Sequence, residues 1–283
     1  MNNSIYEKTI QKLATRGINS PRLEARLLIS DVLGVSADSV SNATTVERYI
    51  SVKLEENIKK RLEGMPLDKI LGTKGFYKYN FKVSEDVLSP RPETEILVEE
   101  ALRIIQKNRF KYVLDLGIGS GCILLSLLKE LPQLNGIGID ASDKAINIAK
   151  ENATELGISE RCQLLNRNWF EDDFIQGLNQ KFDMIVSNPP YIKTDEIKNL
   201  DVGVKKYDPI FALDGGKDGL KDYRQIATLS QKLLKQEGYM LLEIGFNQEN
   251  DVRQIFEASG LRHISTIVDY ANIDRVVVFK KNL

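Results

Sequence analysis

The feature of this sequence that most constrains its fold is the alternation of apolar strands and helices that begins at Glu93. Seven segments have the composition of strands, and helical stretches lie between the first five: 111–117, 135–140, 162–168, 182–188, 238–245, 263–270 and 275–280. Such alternation predicts a mostly parallel sheet with helices on both faces. Only residues 271–274 separate the last two strands, and because a parallel crossover needs about a dozen residues we predict an antiparallel pair there.

The residues before this alternation have a different character. Residues 1–72 carry apolar side chains at helical spacing, and one helix is framed by Ser20 as N-cap, Pro21 at its first position and Gly34 as C-cap. Residues 73–92 alternate aromatic and polar side chains and then contain two prolines, which predicts a β-hairpin and a stiff connector. We therefore predict a small all-helical domain over 1–72, a hairpin linker over 73–92 and an α/β domain over 93–283.

Composition excludes several classes of protein. The net charge of −1 does not draw the whole molecule onto nucleic acid. The sequence lacks an apolar run long enough to cross a bilayer and lacks the pattern of a signal peptide at its start, so we expect a cytoplasmic protein without membrane contact. One histidine and two well-separated cysteines do not predict a metal site.

A glycine loop after the first strand of the α/β domain predicts a cofactor site. Gly117, Gly119 and Gly121 follow the apolar run 111–116 and precede a helix, and Asp140 ends the next strand about 20 residues further on. A carboxylate at that position can accept hydrogen bonds from both ribose hydroxyls of an adenosyl group. The predicted cofactor-binding set in this part of the chain is Asp115, Gly117, Ile118, Gly119, Ser120, Gly121 and Asp140.

Three cofactors compete for such a loop: NAD, FAD and S-adenosylmethionine. The dinucleotide fingerprint has the spacing G-x-G-x-x-G, whereas residues 117–121 read G-x-G-x-G. Asp115 precedes the loop, and a carboxylate there suits the cationic methionine part of S-adenosylmethionine but would repel a pyrophosphate. The sequence therefore favours S-adenosylmethionine.

The segment Asn188–Tyr191, which reads Asn-Pro-Pro-Tyr, follows the fourth strand of the predicted sheet. In an open parallel sheet that strand ends beside the crevice where cofactors bind. Pro189 and Pro190 carry no backbone N–H, so the segment presents carbonyl acceptors together with the Asn188 side-chain oxygen and the ring of Tyr191. This arrangement can hold a planar NH₂ group by its two hydrogens, which predicts methylation of an amide or aromatic amine without a strong base.

The chain resembles a known family in four stretches. Asn188–Tyr191 is similar to the motif of methyltransferases that act on planar nitrogens, and Val87–Leu102, 166–172 and 208–220 resemble HemK-type (PrmC-type) release factor glutamine methyltransferases. The resemblance implies a class I S-adenosylmethionine-dependent methyltransferase, with a Rossmann-like α/β fold, a seven-stranded sheet and an antiparallel C-terminal hairpin. It also implies that the helical domain docks the substrate.

The resemblance implies an activity as well as a fold. The expected reaction is methylation of the glutamine side-chain amide in the Gly-Gly-Gln motif of class 1 peptide chain release factors, by a monomer that makes no direct contact with nucleic acid. Trp169 would border the adenine and Asn168, where relatives usually carry aspartate, would accept from its amino group. Asn188, Pro189, Pro190 and Tyr191 would form the glutamine slot, which Arg91 and Glu93 would help to close.

Two other functions compete with this interpretation. A methyltransferase for adenine or guanine in nucleic acid would want a basic surface and a target-recognition module, which the net charge and the small helical domain do not favour. A non-catalytic binding protein with a relic cofactor fold has no need of an intact glycine loop and Asn188–Tyr191. Transfer of a methyl group distinguishes the binding protein from the two enzymes.

Overall fold

The computed structural model describes residues 4–41, 44, 48–178 and 180–282. Ten α-helices are found in the described residues: α1 (Ile5–Ala14), α2 (Pro21–Leu33), α3 (Arg48–Leu62), α4 (Leu67–Leu71), α5 (Glu95–Asn108), α6 (Cys122–Glu130), α7 (Asp143–Glu155), α8 (Val202–Tyr207), α9 (Lys221–Leu233) and α10 (Glu249–Ala258). The described strands are β1 (Thr73–Phe76), β2 (Tyr79–Lys82), β3 (Tyr112–Leu116), β4 (Asn135–Asp140), β5 (Cys162–Asn166), β6 (Phe182–Ser187), β7 (Leu234–Glu243), β8 (Leu261–Val268) and β9 (Asp274–Lys281).

The smaller of two compact units is helical and comprises Met1–Gly72 with Asp201–Tyr207. Helix α2 begins at Pro21, and Gly34 is its C-cap with a left-handed φ of 65°, as the sequence predicts. Ser20 precedes the helix, but its side chain makes no capping hydrogen bond. Helix α8 packs in this unit although it comes late in the chain: Val202 Cγ1 lies 3.3 Å from the position that a Cβ on Gly64 would occupy.

The larger unit, Thr73–Leu200 with Asp208–Leu283, begins with an antiparallel hairpin of β1 and β2. Phe76 and Phe81 of this hairpin are buried and belong to the same apolar cluster as α5 and α6. The side chain of Asn152 on α7 fixes the end of β2, because its Oδ1 accepts from Lys82 N at 2.7 Å and its Nδ2 donates to Lys82 O at 3.1 Å. The same Nδ2 donates to Ser120 O at 2.8 Å, so one buried amide joins the hairpin to the glycine loop.

A seven-stranded sheet in the order β5-β4-β3-β6-β7-β9-β8 forms the centre of this unit. The first five strands in that order are parallel, and β9 pairs antiparallel with both β7 and β8. The predicted α/β fold and the antiparallel C-terminal pair are confirmed. Chain order runs outward from β3 to β4 and β5 and then returns to β6 on the other side. The carboxyl ends of β3 and β6 therefore border the crevice where open α/β sheets bind ligands.

Successive strand residues point to opposite faces of the sheet and build two cores. Met184 and Val186 of β6 join the cluster formed with α5, α6 and α7, whereas Ile185 joins the cluster formed with α9 and α10. Both faces are thus covered by helices, as a parallel sheet requires. In the described part of the chain, none of the helices is long and apolar enough to cross a membrane.

Candidate active site

The glycine loop leaves β3 at Gly117 and enters α6 at Cys122. The N–H groups of Gly117 and Ile118 both donate to Ile139 O, at 2.9 and 3.0 Å, which ties the loop to the neighbouring strand β4. Gly121 has a φ of 86°, and a Cβ there would lie 2.6 Å from Leu125 Cδ1. Glycine is therefore required at position 121 both by the backbone conformation and by the close approach of the helix.

Asp140 lies at the end of β4 and faces the loop. Its Oδ2 accepts from Gly119 N at 2.9 Å and its Oδ1 accepts from Ser142 N at 2.9 Å. The side chain is buried, and this burial raises the pKa of the carboxyl above its usual value. Each carboxylate oxygen retains a further lone pair, so a fixed acceptor is presented next to the loop.

Asp115 is placed differently from Asp140. It is fully buried beneath the loop, where its Oδ2 accepts from Leu124 N at 3.3 Å and its Oδ1 has no hydrogen-bond partner among the residues that the structure describes. Burial raises the pKa of its carboxyl to about 7. Asp115 therefore supports the start of α6 from within the core, and its predicted contact with a cofactor remains a prediction.

Cys122 opens α6, where the helix dipole favours a thiolate. Burial acts in the opposite direction and prevails, because it raises the pKa of the Cys122 thiol to about 12. The thiol is thus neutral at physiological pH, and Cys122 is a small buried residue of the core.

Trp169 covers the first glycine of the loop. Its Cη2 lies 3.3 Å from the position of a Cβ on Gly117. Two hydrogen bonds to α9 hold Trp169: its indole Nε1 donates to Asp222 Oδ1 at 3.0 Å, and Gln225 Nε2 donates to its backbone carbonyl oxygen at 2.6 Å. Asn168, the neighbour of Trp169, accepts from Phe170 N through Oδ1 at 3.0 Å, so its side-chain oxygen already stabilises the local turn.

Asn188 directly follows β6, and its amide is linked to two buried residues in series. Asn188 Nδ2 donates to Thr94 Oγ1 at 3.3 Å, and Thr94 Oγ1 in turn donates to Glu243 Oε2 at 2.6 Å. Ser187, the last residue of β6, donates through Oγ to Leu116 O at 2.6 Å and so joins the ends of β6 and β3. The asparagine and the glycine loop are thereby held on adjacent strands.

Tyr191 lies at the other end of the Asn-Pro-Pro-Tyr segment and packs inward. Its Cδ2 would be 2.9 Å from a Cβ on Gly245, and its ring lies against the apolar cluster of α9 and α10. Burial raises the pKa of its hydroxyl well above the usual value. Gln248 holds the backbone here, since its Nε2 donates to Tyr191 O at 3.0 Å and its Oε1 accepts from Gly245 N at 2.9 Å.

Arg91 and Glu93 lie in the connector before α5. Arg91 Nη2 donates to Asp208 Oδ2 at 2.8 Å, and the Asp208 side chain is 3% exposed. Glu93 lies in a short 3₁₀ turn, Pro92–Thr94, where its charge raises the pKa of Tyr191 and of Glu243. Arg91 thus joins the connector to the stretch that precedes α9.

A single cavity of about 810 Å³ brings the two predicted motifs together. Its volume is within the range of sites that hold small molecules and cofactors. Predicted site residues in its lining are Arg91, Gly117, Ile118, Gly119, Ser120, Asp140, Asn168, Trp169, Asn188 and Pro190. Thr94 and Asp222 also line it, although the sequence analysis did not select them.

Sequence analysis also missed Glu243 and Gln248, which support the Asn-Pro-Pro-Tyr segment from β7 and the loop after it. One signal was present for Glu243: it is the only charged residue in the apolar run 239–246. A carboxylate in a buried strand requires partners, so its position pointed to a polar network. Asp222 gave no comparable signal, because an acid in the first turn of a helix is ordinary.

Comparison with known proteins gives two family models. Residues 4–72 match the PrmC N-terminal domain, and residues 93–204 match the Methyltransferase small domain. The chain is 39% identical to a release factor glutamine methyltransferase of Caulobacter vibrioides, over 96% of this chain and 93% of that protein. It is 40% identical to a release factor glutamine methyltransferase of Agrobacterium fabrum, over 96% of this chain and 94% of that protein.

Solved structures of lower identity share the fold. The hMettl16 catalytic domain, solved in complex with the MAT2A 3′UTR hairpin 6, has a TM-score of 0.55 at 13% identity and covers 82% of each chain. A methyltransferase from Pyrococcus furiosus has a TM-score of 0.52 at 13% identity and covers 84% of this chain and 100% of its own. These two likenesses establish the methyltransferase fold.

Proposed function

This chain belongs to the family of release factor glutamine methyltransferases, and we propose that it transfers a methyl group from S-adenosylmethionine to a glutamine side-chain amide in peptide chain release factors. The observation that carries the proposal is the meeting of two motifs in one cavity: the glycine loop after β3, and Asn188 with Pro190 after β6. The relatives match nearly the whole chain, the helical unit included, which supports a shared substrate and disfavours nucleic acid.

The residues around the glycine loop fit S-adenosylmethionine. A Cβ on Gly119 would meet no atom within 4 Å, so the loop borders open space at the cavity. Asp140 presents its carboxylate to that space and would accept hydrogen bonds from the ribose hydroxyls. Trp169 would border the adenine ring, and Asn168 would accept a hydrogen bond from the adenine amino group. When bound, the cofactor supplies an electrophilic methyl group.

The Asn188–Pro190 segment would hold the substrate amide. Positions 189 and 190 offer carbonyl oxygens but no N–H donors, because both are proline. The Asn188 side-chain oxygen and a backbone carbonyl would each accept one hydrogen of the glutamine NH₂ group. This binding mode selects an NH₂ group over a carbonyl, since a carbonyl cannot donate.

Those two hydrogen bonds also raise the reactivity of the amide nitrogen. Its lone pair is delocalised into the carbonyl, and acceptors at both N–H bonds favour the form in which the lone pair is localised. As the nitrogen takes up the methyl group it gains positive charge, which the carbonyl oxygens stabilise. The nitrogen then loses one proton to solvent, so no strong base is needed in the site.

The helical unit would bind the release factor away from the reacting glutamine. It corresponds to the PrmC N-terminal domain in the family model. Binding energy from a remote surface can position the reacting amide, which a short peptide with little surface cannot do for itself. Arg91 and Glu93 of the connector, with Tyr191, would close the slot around the glutamine.

The proposal is tested by incubating the nuclease-treated protein with labelled S-adenosylmethionine and a purified class 1 release factor. We expect label in the release factor and much faster transfer to it than to a peptide containing only Gly-Gly-Gln. Label in added nucleic acid but not in the release factor would overturn the proposal. Absence of transfer to either, with cofactor binding intact, would favour the binding-protein alternative.

A further inference from the structure

Glu243 is a buried carboxylate in the final position of β7, and Thr94 links it to the residue proposed to hold the substrate amide. Its side chain is 2% exposed, as is that of Thr94. Thr94 and Asn188 both line the cavity, whereas Glu243 lies in the protein interior beneath them. An acid in this position requires explanation, because burying a charge costs free energy unless partners compensate.

The proton positions in this group follow from the chemistry of the three side chains. An ionised carboxylate only accepts, so the Thr94 hydroxyl must give its one hydrogen to Glu243 Oε2 across 2.6 Å. The Thr94 oxygen can then only accept, and its donor at 3.3 Å is Asn188 Nδ2. Asn188 also lowers the pKa of Glu243, as a donor beside a carboxylate does, which agrees with its nitrogen facing inward.

This order of donors leaves the Asn188 amide with one favourable orientation. If the amide were turned over, its oxygen would face an acceptor lone pair of Thr94 near the Glu243 carboxylate, and the hydrogen bond to Thr94 would be lost. With the nitrogen turned inward, Oδ1 is directed to the cavity. The proposed function requires this orientation, because a substrate NH₂ group needs an acceptor and would be repelled by a second NH₂ group.

We propose that Glu243 is a positioning residue that, with Thr94, fixes which end of the Asn188 amide faces the substrate. The inference rests on the proposed function and adds to it the specificity for an NH₂ group. Glu243 itself does not touch the substrate. Its effect is that Asn188 presents its side-chain oxygen, an acceptor, to the substrate amide rather than its NH₂ group, a donor.

Protonation of Glu243 would remove this control. Burial raises the pKa of its carboxyl to about 7, and Thr94, Arg275 and Asn188 oppose that rise. A protonated carboxyl has an O–H donor, which can satisfy the oxygen of a turned-over Asn188. The ionised form is the active one, so turnover should fall as the pH drops through about 7.

Other charged or titratable groups interact with Glu243 from the elements around it: Arg275 on β9, Glu93 in the 3₁₀ turn, Tyr191 after β6, Tyr223 on α9 and Cys122 on α6. Asp115 is a second buried acid whose pKa is raised to about 7. A variant of Glu243 is therefore needed to assign the pH dependence.

The substitution Glu243→Gln tests the proposal, because it keeps the shape of the side chain but adds an NH₂ donor that can satisfy a turned-over Asn188. With a release factor as substrate, we expect kcat to fall about 10- to 100-fold, the scale for a misplaced catalytic contact, while KM and cofactor affinity are unchanged. The low-pH loss of turnover should vanish in the variant. Thr94→Val should also lose turnover, and Thr94→Ser, which keeps the hydroxyl, should restore most of it.

The control is Glu237→Gln, also on β7, where the side chain is 49% exposed and pairs with Lys280. It should behave like the natural protein. If Glu243→Gln keeps both the kcat and the pH profile of the natural protein, the proposal is wrong. If kcat falls but turnover is still lost at low pH, the pH dependence belongs to Asp115 and the pH part of the proposal is wrong. If the natural protein itself fails to methylate the release factor, the proposed function is wrong. That result is distinct from any difference between the natural protein and Glu243→Gln.

A second readout does not depend on turnover. NMR can follow the side-chain NH₂ signals of Asn188, which are identified by their loss in Asn188→Ala. The titration should span about pH 5 to pH 9, the range in which a buried acid with a raised pKa changes its charge. We expect them to titrate with Glu243 in the natural protein and to become insensitive to pH in Glu243→Gln. Signals that ignore pH in both proteins would overturn the inference whatever the substrate.

Discussion

The two halves of the cavity are held in place by different means. The glycine loop is fixed by its own backbone and by its immediate neighbours: Gly117 and Ile118 donate to the adjacent strand, and Gly119 donates to Asp140. The Asn-Pro-Pro-Tyr segment is fixed by side chains that come from distant parts of the chain, Thr94, Glu243 and Gln248. The glycine-loop half is therefore held by contacts within a local motif, whereas the Asn188 half is held by side chains that are far away in the sequence.

This difference has a consequence for substitution. Changes in the glycine-loop half should act on cofactor binding and on stability. Changes in the Asn188 half should act on turnover, because that half contacts the amide that reacts. Each prediction below would either separate the two halves or show that they behave as one.

The largest effect is expected for Asn188→Ala. Loss of one preorganised contact to developing charge lowers kcat by roughly 10²–10³. S-adenosylmethionine affinity, measured by calorimetry, should fall much less, since most predicted cofactor contacts lie in the other half. A variant with near-normal kcat would contradict the amide-holding role of Asn188.

Gly121→Ala should be the most damaging change in the glycine loop. Its φ of 86° disfavours a side chain, and its Cβ would lie 2.6 Å from Leu125 Cδ1. Strain and overpacking together should lower the free energy of unfolding by about 2–4 kcal/mol in denaturant titrations without cofactor.

Gly119→Ala is the matched control for that measurement. It has a φ of 53°, but its Cβ would meet no atom within 4 Å, so the strain is present without the overpacking. We expect it to cost only about 1–2 kcal/mol. Equal costs for the two variants would show that the packing of Gly121 against α6 is unimportant.

Asp140→Ala should weaken S-adenosylmethionine binding by about 1.5–3 kcal/mol, the scale for hydrogen bonds to a charged group. Turnover at saturating cofactor should change less than in Asn188→Ala, which is the opposite pattern. Calorimetry on the folded variant checks the affinity. Unchanged affinity would remove the ribose assignment of Asp140.

The smallest expected effect is optical. Trp169 is the sole tryptophan of the chain, and it covers the glycine loop, so its fluorescence should change when S-adenosylmethionine binds. In Asp140→Ala the same change should require a higher cofactor concentration. Emission that stays constant during a titration with demonstrated binding would contradict the placement of the adenine beside Trp169.

The contrast between the halves also explains what the sequence could predict. The fold follows from the alternation of strands and helices, and the short 271–274 connection correctly indicated the antiparallel pairing of β8 and β9. Gly117–Gly121, Asp140 and Asn188 could be selected because each lies at or directly after the carboxyl end of a strand in the predicted parallel sheet. Their cofactor and substrate roles remain predictions.

The supports of the Asn188 half could not be selected in this way. Thr94 and Glu243 are 149 positions apart in the chain. They meet because the turn before α5 contacts the end of β7, and β7 lies beside β6, the strand that Asn188 follows. The ring of Tyr191 packs against Gly245, a contact that depends on the loop after β7, and its role at the substrate amide remains a prediction. Side-chain partners brought together by sheet order leave no local pattern in the sequence.

The proposed reaction can be tested at its product by mass mapping of the release factor after incubation with the protein and S-adenosylmethionine. We expect the added mass of one methyl group on the side chain of the Gly-Gly-Gln glutamine, and its absence after incubation with Asn188→Ala. A methyl group on any other residue, or the same modification produced by Asn188→Ala at the natural rate, would contradict the proposed reaction.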